Sequence, residues 1–432
     1  MPKNPTVAVL TLGCKLNQSD SEAIARRLIG RGVRVVDRPQ SSAAAVVINT
    51  CSVTHVADRK ARHLVRLARR LSPDAEIVLT GCYAETAPDD LLQTIGVDDV
   101  VANGAKESIP DRLMARLKSR GDPAAGCANH LRDGLRTRAF VKIQEGCNEL
   151  CAFCIVPYTR GREVSVPIET VVREVQAREA EGVLEVVLTG TQLGNYGRDL
   201  GWSERGPRLL LQALLEETSV PRIRLSSVQA QDISEDLLSL WQDSRLCPHF
   251  HMPLQSGSDP VLQQMRRRYT SSDYRRAVDA IRSRVPDVAI TTDVIAGFPG
   301  ETDDDFERTY SLCRDIGFAA MHAFPYSRRP HTGAERMNGH LPVEVRRQRM
   351  ERLLDLGRRS AMAFRRGFIG RTMDVLWEEK AVGVWHGLTG NYMRVQTVSE
   401  EDIANKLTPT RLTSLGDDSV IGEVETVAVA GM

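Results

Sequence analysis

The 432-residue sequence predicts an α/β protein of three domains joined in series. Apolar, β-branched runs alternate with helix-like stretches over most of the chain, and short valine- and threonine-rich runs separated by turns replace them near the end. The chain is also too long for a single hydrophobic core. We expect an N-terminal parallel α/β domain over 1–117, a linker over 118–132, a partial (β/α)6 barrel over 133–365 and a small all-β barrel over 366–432.

The N-terminal segment repeats one pattern three times, an apolar run followed by a cysteine. The runs "TVAVLTLGC", "AAVVINTC" and "EIVLTGC" end at Cys14, Cys51 and Cys82. Because ligands of open parallel sheets bind at the carboxyl ends of the strands, we expect the three thiols to converge. Structural burial is the alternative for any one of them, but their shared position at strand ends favours a joint site.

The second segment contains six strand-like runs: "RAFVKIQ", "LEVVLTG", "RIRLSS", "HFHMPLQ", "VAITTDVIAGFPG" and "AAMHAFPYS". Helix-like stretches separate them, which predicts a (β/α) barrel whose working face is the carboxyl end of the strands. Directly after the first run, Cys147, Cys151 and Cys154 form a CxxxCxxC motif. The sequence therefore predicts a second group of three thiols on that working face.

Composition excludes some classes of protein. The nine cysteines are an odd number that is low for this length, so metal or redox chemistry is a better interpretation than a disulfide scaffold. No stretch approaches the roughly 20 apolar residues of a membrane span, and the N-terminus lacks the features of a signal peptide. A net charge of +1 indicates that nucleic-acid contacts would rely on local patches. We expect a cytoplasmic protein, without membrane contact and by default monomeric.

Three thiolates at short spacing suit an iron-sulfur cluster better than zinc. A structural zinc ion takes four protein ligands, and "EGCNELCAFCIVPYTRG" offers no fourth cysteine or histidine. Three cysteines on a four-iron cluster leave one iron free to bind a small molecule. A zinc site remains the alternative.

The CxxxCxxC motif after the first barrel strand, with its aromatic Phe153, resembles that of the radical SAM enzymes. The resemblance implies that the open iron binds S-adenosyl-L-methionine (SAM), which one electron cleaves to a 5′-deoxyadenosyl radical. It further implies SAM contacts at later strand ends, although each of these positions also suits an ordinary βα turn. These candidate cofactor-binding residues are Phe153, Thr189, Gly190, Gln192, Ser226, Ser227, Gln255, Asp293 and Gly297.

The order of the three domains resembles the methylthiotransferases over essentially the whole chain. In that family the N-terminal cysteines hold a second 4Fe-4S cluster, here Cys14, Cys51 and Cys82, whose open iron carries the sulfur inserted into a C–H bond. SAM then serves as both radical source and methyl donor. The resemblance also implies a sulfur source and a low-potential electron donor such as flavodoxin or ferredoxin.

Several stretches point to one subgroup. "TLGCKLNQSDSE", "NTCSVTHVADRKAR" and "MRRRYTSSDY" resemble the enzymes that convert N6-threonylcarbamoyladenosine at tRNA position 37 to its 2-methylthio derivative. "CAFCIVPYTRG" is closer to the isopentenyladenosine subgroup, and a third subgroup modifies an aspartate of a ribosomal protein. A non-catalytic iron-sulfur or zinc RNA-binding protein is the alternative outside the enzymes.

The C-terminal segment resembles a TRAM domain, an RNA-binding β-barrel. Trp377, Trp385, Tyr392 and Arg394 are candidates for contacts with loop bases, and core packing is the alternative for the aromatic residues. Positive charge is concentrated upstream, including Arg266 to Arg268 and Arg328 with Arg329. Such runs indicate either a surface that follows an RNA backbone or solvated helix faces.

Overall fold

The computed structural model describes residues 5–119, 137–202 and 205–425. The linker predicted over 118–132 lies outside these ranges from residue 120 onward. At its start, a helix continues through Ser119. No helix within the described ranges is both long and apolar enough to cross a membrane.

The N-terminal domain is a five-stranded parallel sheet in the order β2-β1-β3-β4-β5, with helices on both faces. Its strands are β1 (Thr6–Thr11), β2 (Arg34–Val36), β3 (Ala43–Thr50), β4 (Glu76–Gly81) and β5 (Asp99–Val101). Its helices are α1 (Lys15–Ile29), α2 (His55–Leu71), α3 (Asp89–Thr94) and α4 (Ile109–Ser119).

Hydrophobic patterning explains this layered arrangement. Seven of the eight side chains of β3 are buried, as expected for a central strand covered on both faces. Helix α2 buries Ala61, Val65 and Ala68 on one stripe and turns its basic residues outward. The predicted parallel α/β class is confirmed.

The central domain is a partial barrel. Its six parallel strands are β6 (Arg138–Lys142), β9 (Glu185–Thr189), β10 (Arg222–Leu225), β11 (His249–His251), β12 (Ala289–Ala296) and β13 (Ala320–Pro325). A short antiparallel pair, β7 (Gln144–Glu145) and β8 (Val164–Ser165), lies beside β6. The helices are α5 (Val156–Arg160), α6 (Ile168–Ala180), α7 (Gly206–Glu217), α8 (Glu235–Leu238), α9 (Asp259–Gln264), α10 (Ser271–Arg284), α11 (Asp303–Ile316) and α12 (Val343–Arg366).

The strands divide apolar from polar side chains across the barrel wall. Val186, Ile223 and Phe250 belong to the core formed with the surrounding helices. The residues that alternate with them are polar and point to the opposite side, the lumen: Glu185, Arg224 and His249 are examples, each at most 2% exposed. Among the described residues β13 and β6 do not pair, so the barrel is open on that side, where helix α1 lies against β6. The six predicted barrel strands are thus confirmed.

The C-terminal domain is a closed five-stranded barrel in the order β14-β15-β16-β18-β17. Its strands are β14 (Thr372–Ala381), β15 (Val384–Thr389), β16 (Arg394–Thr397), β17 (Leu407–Leu415) and β18 (Val420–Val424). Trp377 is fully buried and donates its indole N–H to Thr408 Oγ1 at 2.8 Å, and Trp385 is also buried. Both tryptophans therefore fill the core, and the packing alternative holds for them.

Candidate functional site: two groups of three thiols

The N-terminal triad consists of Cys14, Cys51 and Cys82, which follow β1, β3 and β4 directly. These strands are neighbours in the sheet, so the three residues meet at one edge. Burial, together with the nearby thiols of Cys82 and Cys14, raises the pKa of Cys51 to about 11. Three such thiols repel one another when ionised, and the positive charge of bound metal would reverse that effect.

Asn17 joins two of the strand ends that carry this triad. Its side chain is fully buried and donates hydrogen bonds to the carbonyl oxygens of Leu12 at 2.7 Å and Thr50 at 2.9 Å. Beside it, Gly13 has a positive φ of 116°, and a Cβ there would lie 2.6 Å from the Cβ of Cys51. Sequence reasoning missed Asn17; an amide in the first turn of a helix after a strand was the available signal.

The barrel triad lies in a single loop after β7. Glu149 donates its backbone N–H to the Cys147 Sγ at 3.4 Å. Burial is the main cause that raises the pKa of Cys147 to about 12 and that of Cys154 to about 11. Gly146 has a φ of 73°, and a Cβ there would lie 1.9 Å from the Arg162 carbonyl oxygen, so only glycine fits before Cys147.

The donor sets fit iron-sulfur clusters better than single ions. Within the described ranges, no three His, Cys, Asp or Glu side chains are arranged to hold one metal ion. A four-iron cluster binds each thiolate through a different iron and so requires a wider spacing than zinc. The eight described cysteines are all free thiols, as this role requires. Three free thiols in each triad therefore suit a cluster that keeps one iron open.

The two triads face each other across the domain junction. Cys82 lies close enough to Cys154 for its charge to affect the pKa of that thiol. Arg160, at the end of α5, also lies near both Cys82 and Cys14. Burial lowers the pKa of Arg160, but these two thiols act against burial and are the main reason that the pKa is raised. Its guanidinium donates to Glu145 Oε1 at 2.6 Å and also contacts Asn17 Oδ1.

A buried acid beside Arg160 helps to hold the domains together. Asp20 on α1 is bound by Lys106 and Lys142, each at 2.7 Å, and lies 3.7 Å from Arg160. Burial alone would raise the pKa of Asp20, but the three cations lower it. Lys142 and Arg160 belong to the barrel domain, so this cluster joins the surfaces that carry the two triads.

A second ionic contact crosses the junction on the other side. Arg329, which follows β13, is 3% exposed and donates to Asp58 Oδ2 and Ser52 Oγ, both at 2.7 Å. Ser52 directly follows Cys51. The interpretation of Arg329 as part of an RNA-binding surface is therefore wrong, because its guanidinium is buried in protein contacts.

Arg267 was also interpreted as an RNA-binding residue, and it instead contacts the barrel triad. Its Nη1 donates to the Cys151 Sγ at 3.3 Å, and its Nη2 donates to Gln229 Oε1 at 2.5 Å. Its neighbour Arg268 is more exposed and pairs with Glu149 at 3.0 Å. Arg267 therefore places a positive charge directly beside one thiol of the barrel triad.

Gln144 connects the barrel triad to the predicted SAM residues. Its Oε1 accepts the backbone N–H groups of Thr191 and Gln192 at 2.9 and 3.0 Å, and its Nε2 donates to the Gly146 carbonyl at 2.9 Å. Thr189 ends β9, and a Cβ at Gly190 would meet the Gln144 carbonyl oxygen at 3.1 Å. The strand-end turn and the cysteine loop are thus one unit, which sequence reasoning did not detect.

Two buried hydroxyl groups at this end of the barrel lack partners within the described structure. Ser226 follows β10, and neither its Oγ nor the Thr191 Oγ1 makes a hydrogen bond. Leaving a buried hydroxyl unpaired costs about 1–3 kcal/mol, so such groups call for a polar partner such as water, an ion or a ligand. Their positions fit a polar cofactor such as SAM. Ser227, next in sequence, is half-buried.

The remaining predicted SAM residues lie around the same end. Gln255 has a φ of 64° and donates its N–H to the Asp293 carbonyl at 2.9 Å, while the Asp293 carboxylate lies 3.2 Å from His251 Nε2. Gly297 packs against Arg346, since a Cβ there would lie 2.3 Å from its Cγ. Phe153 packs against the small core that contains Phe298.

A parallel half-barrel with a three-cysteine loop after its first strand defines a radical SAM enzyme. The Radical SAM superfamily model matches residues 141–313, and the model of the uncharacterized protein family UPF0004 matches 6–103. The fold also resembles a radical SAM methyltransferase, TsrM of Kitasatospora setae, with a TM-score of 0.55 at 16% identity over 77% of both chains.

Curated relatives extend the match to the whole chain. Threonylcarbamoyladenosine tRNA methylthiotransferase MtaB of Bacillus subtilis is 35% identical over 95% of this chain and 94% of its own length, and MtaB of Thermotoga maritima is 35% identical over 96% of both. The tRNA-2-methylthio-N(6)-dimethylallyladenosine synthase of Cereibacter sphaeroides is 34% identical over 96% of this chain and 97% of its own. The chain belongs to the radical SAM methylthiotransferase family. It is an enzyme that uses SAM and 4Fe-4S clusters.

Proposed function

We propose that this enzyme converts N6-threonylcarbamoyladenosine at position 37 of tRNA to its 2-methylthio derivative. The observation that carries the proposal is the pair of three-thiol groups that face each other between the first two domains, with Cys82 near Cys154. Two open clusters facing one substrate meet the needs of sulfur insertion at an unactivated carbon. The MtaB relatives, named for this substrate, support the choice of tRNA nucleoside.

The thiol groups take different roles in this proposal. Cys147, Cys151 and Cys154 hold the cluster that binds SAM, and Cys14, Cys51 and Cys82 hold a second 4Fe-4S cluster. When bound, the clusters supply the electron that cleaves SAM and an open iron for the sulfur.

The protein around them positions the reactants. Gln144 orients the turn at Thr191 and Gln192 toward the cysteine loop, and the free hydroxyls of Thr191 and Ser226 are available to SAM. Gln255, Asp293 and Ser227 complete the proposed cofactor bed, with Thr189, Gly190, Gly297 and Phe153 shaping its walls. Arg160 places a fixed positive charge beside the N-terminal triad, near Cys14 and Cys82, where it partly offsets the negative charge of the thiolates.

We propose three domains with the boundaries expected from sequence, and tRNA as the partner that the C-terminal TRAM-like barrel helps to bind. Sulfur insertion also requires a sulfur source and a low-potential electron donor such as flavodoxin or ferredoxin. We place the enzyme in the cytoplasm, where its tRNA substrate is found, and propose that it acts as a monomer.

A second candidate substrate is isopentenyladenosine in tRNA. The Cereibacter relative, whose name refers to the dimethylallyl nucleoside, is almost as similar as the MtaB proteins. The chemistry would be the same, and only the group on N6 would differ.

Mass spectrometry of nucleosides from total tRNA, with and without this gene, tests the proposal. Loss of 2-methylthio-N6-threonylcarbamoyladenosine, with accumulation of its unthiolated precursor, is expected. Loss of the isopentenyl derivative instead would replace the substrate and keep the reaction. No change in either nucleoside would contradict a role in tRNA thiolation and direct attention to the ribosomal-protein or binding-protein alternatives.

A further inference from the structure

The barrel lumen contains a group of cations around one tyrosine. Tyr392, in the turn between β15 and β16, stacks on His249 with ring centroids 4.7 Å apart. Arg224, Lys15 and Arg138 lie 4.7, 5.5 and 5.6 Å from the centre of the tyrosine ring. All three domains therefore contribute to this group, because Lys15 comes from the N-terminal domain and Tyr392 from the C-terminal barrel. Tyr392 faces protein rather than RNA.

The two arginines of this group already have protein partners. Arg224 is fully buried and binds Glu185 at 2.7 Å and the Gly390 carbonyl at 2.8 Å. Arg138 donates to Glu378 at 2.7 Å. These contacts attach the C-terminal barrel to the base of the central barrel, so they account for both arginines structurally.

Lys15, unlike the two arginines, has no such partner among the residues that the structure describes. Its ammonium group forms neither a hydrogen bond nor an ion pair with any residue that the structure describes, and Glu185, the nearby carboxylate, is already bound by Arg224. Long exposed lysines are often unpaired, but Lys15 is half-buried, and its ammonium lies 5.5 Å from the centre of the Tyr392 ring. After burial, its charge contributes to the lowered pKa of both His249 and His322, so it lies near these two barrel residues. An ammonium without a counter-charge in such a place favours an anionic ligand.

A second unfilled polar group lies beside it. His249 is 2% exposed; its Nε2 is 3.2 Å from Thr291 Oγ1, whereas its Nδ1 has no hydrogen-bond partner in the described structure. The lumen thus offers a cation and a separate ring nitrogen that the protein leaves free. A carboxylate beside a hydroxyl or an amide would satisfy both.

The position of Lys15 relates this pocket to the reacting atoms. Lys15 directly follows Cys14, so the start of α1 presents a ligand of the proposed sulfur-carrying cluster and the ammonium group together. A substrate base held between the two triads would therefore extend its substituent toward Lys15.

We propose that Lys15 binds the carboxylate of the threonylcarbamoyl group and thereby selects this substrate. The inference rests on the proposed function. A threonylcarbamoyl group ends in an amino-acid carboxylate with a neighbouring hydroxyl, whereas an isopentenyl group is a hydrocarbon. An isopentenyl group in the same pocket would leave the ammonium buried without a counter-charge, which discriminates against it.

Binding to anticodon stem-loops tests this proposal without the chemical reaction. Three RNAs of one sequence are compared, with position 37 carrying adenosine, N6-threonylcarbamoyladenosine, or the same nucleoside with the carboxylate converted to a carboxamide. We expect the cluster-loaded wild-type enzyme to bind the acid about 10- to 100-fold more tightly than the amide. Lys15→Met should bind acid and amide equally, and Lys15→Arg should retain part of the preference.

Arg31→Met is the matched control, because Arg31 lies in the turn directly after the helix that begins at Lys15 and pairs with Asp111 on the surface. It should keep the full preference for the acid. Equal binding of acid and amide by the wild-type enzyme, or an undiminished preference in Lys15→Met, would overturn the proposal, and the first outcome involves no variant that could misfold. If the enzyme prefers the acid RNA over the amide through Lys15 but does not methylthiolate the acid RNA, the binding proposal stands and the proposed function is refuted.

Discussion

The two groups of three thiols differ in how the chain brings them together. Cys147, Cys151 and Cys154 lie within one loop, whereas Cys14, Cys51 and Cys82 come from three separate strand ends. The first group depends on local backbone geometry, such as the left-handed conformation of Gly146, and the second depends on the register of a whole sheet. The N-terminal triad should therefore be more sensitive to changes in packing.

The largest expected effect tests whether the triads are independent. Cys14→Ala should lose the N-terminal cluster and keep the barrel cluster, and Cys151→Ala should do the reverse, because no thiol is shared. Iron content should fall by about half in each variant. The electron paramagnetic resonance (EPR) spectrum of the reduced protein should retain a different signal in each case. Loss of both clusters in either single variant would contradict the independence of the triads.

A next comparison concerns the amides that organise each site. Asn17→Ala removes the bonds to the Leu12 and Thr50 carbonyls, so the strand ends of Cys14 and Cys51 should separate and the N-terminal cluster should be lost. The unpaired carbonyls should lower the free energy of unfolding by about 1–3 kcal/mol, measured by urea denaturation.

Gln144→Ala is the matched variant in the barrel, where all three cysteines lie within one loop. It should keep both clusters and weaken SAM binding by about 10-fold, since the turn at Thr191 and Gln192 loses its acceptor. Calorimetric titration with SAM measures that change. Loss of the barrel cluster in Gln144→Ala would mean that this triad is no more local than the other.

The junction that holds the triads face to face should be sensitive to acid. Because the folded-state pKa of Asp20 lies below its usual value, its contribution to stability is complete above about pH 4 and is lost as pH falls further. Asp20→Asn should lower the free energy of unfolding by about 3–5 kcal/mol near neutral pH, because it leaves Lys106 buried without its counter-ion.

Asp20→Asn should also lose less stability than the wild type when the pH is lowered, because it lacks the carboxylate that becomes protonated. Asp111→Asn, which removes a largely exposed partner of Arg31, is the control and should change stability by less than about 1 kcal/mol. Equal effects of the two substitutions would show that the Asp20 cluster does not hold the domains together.

The smallest expected effect concerns the charge beside the barrel triad. Arg267→Met removes the donor to Cys151, so the reduced cluster loses stabilisation and its reduction potential should become more negative. Redox titration followed by EPR measures this potential. Arg268→Met, whose side chain faces outward toward Glu149, should leave it unchanged. An unchanged reduction potential in Arg267→Met would contradict the role of the Arg267 charge in stabilising the reduced cluster.

Sequence patterns predicted the parts of this molecule that depend on nearby residues. The apolar runs before Cys14, Cys51 and Cys82 predicted neighbouring parallel strands, since side-chain alternation and burial are local properties of a strand. The six cysteines were selected as candidate ligands in the same way. The C-terminal domain followed from its short strands and turns.

Contacts between distant residues could not be predicted in this way. Arg267 and Arg329 belong to basic runs that look alike in sequence, and only the fold shows that both are directed inward to protein partners. Lys15 shares this difficulty, because the residues that surround its ammonium group, such as Tyr392 and Arg138, come from two other domains. For Trp377 the sequence allowed both base stacking and core packing, and the closed barrel shows that it lies in the core.

The central claim is that the two triads divide the work, one cleaving SAM and the other providing sulfur. The most direct test is an anaerobic reaction of Cys14→Ala with SAM, a reductant and tRNA that carries N6-threonylcarbamoyladenosine, in which 5′-deoxyadenosine and methylthiolated nucleoside are measured together. We predict that 5′-deoxyadenosine still forms while no methylthiolated nucleoside appears. Methylthiolated product from Cys14→Ala at the wild-type level would contradict the assignment of sulfur transfer to the N-terminal triad.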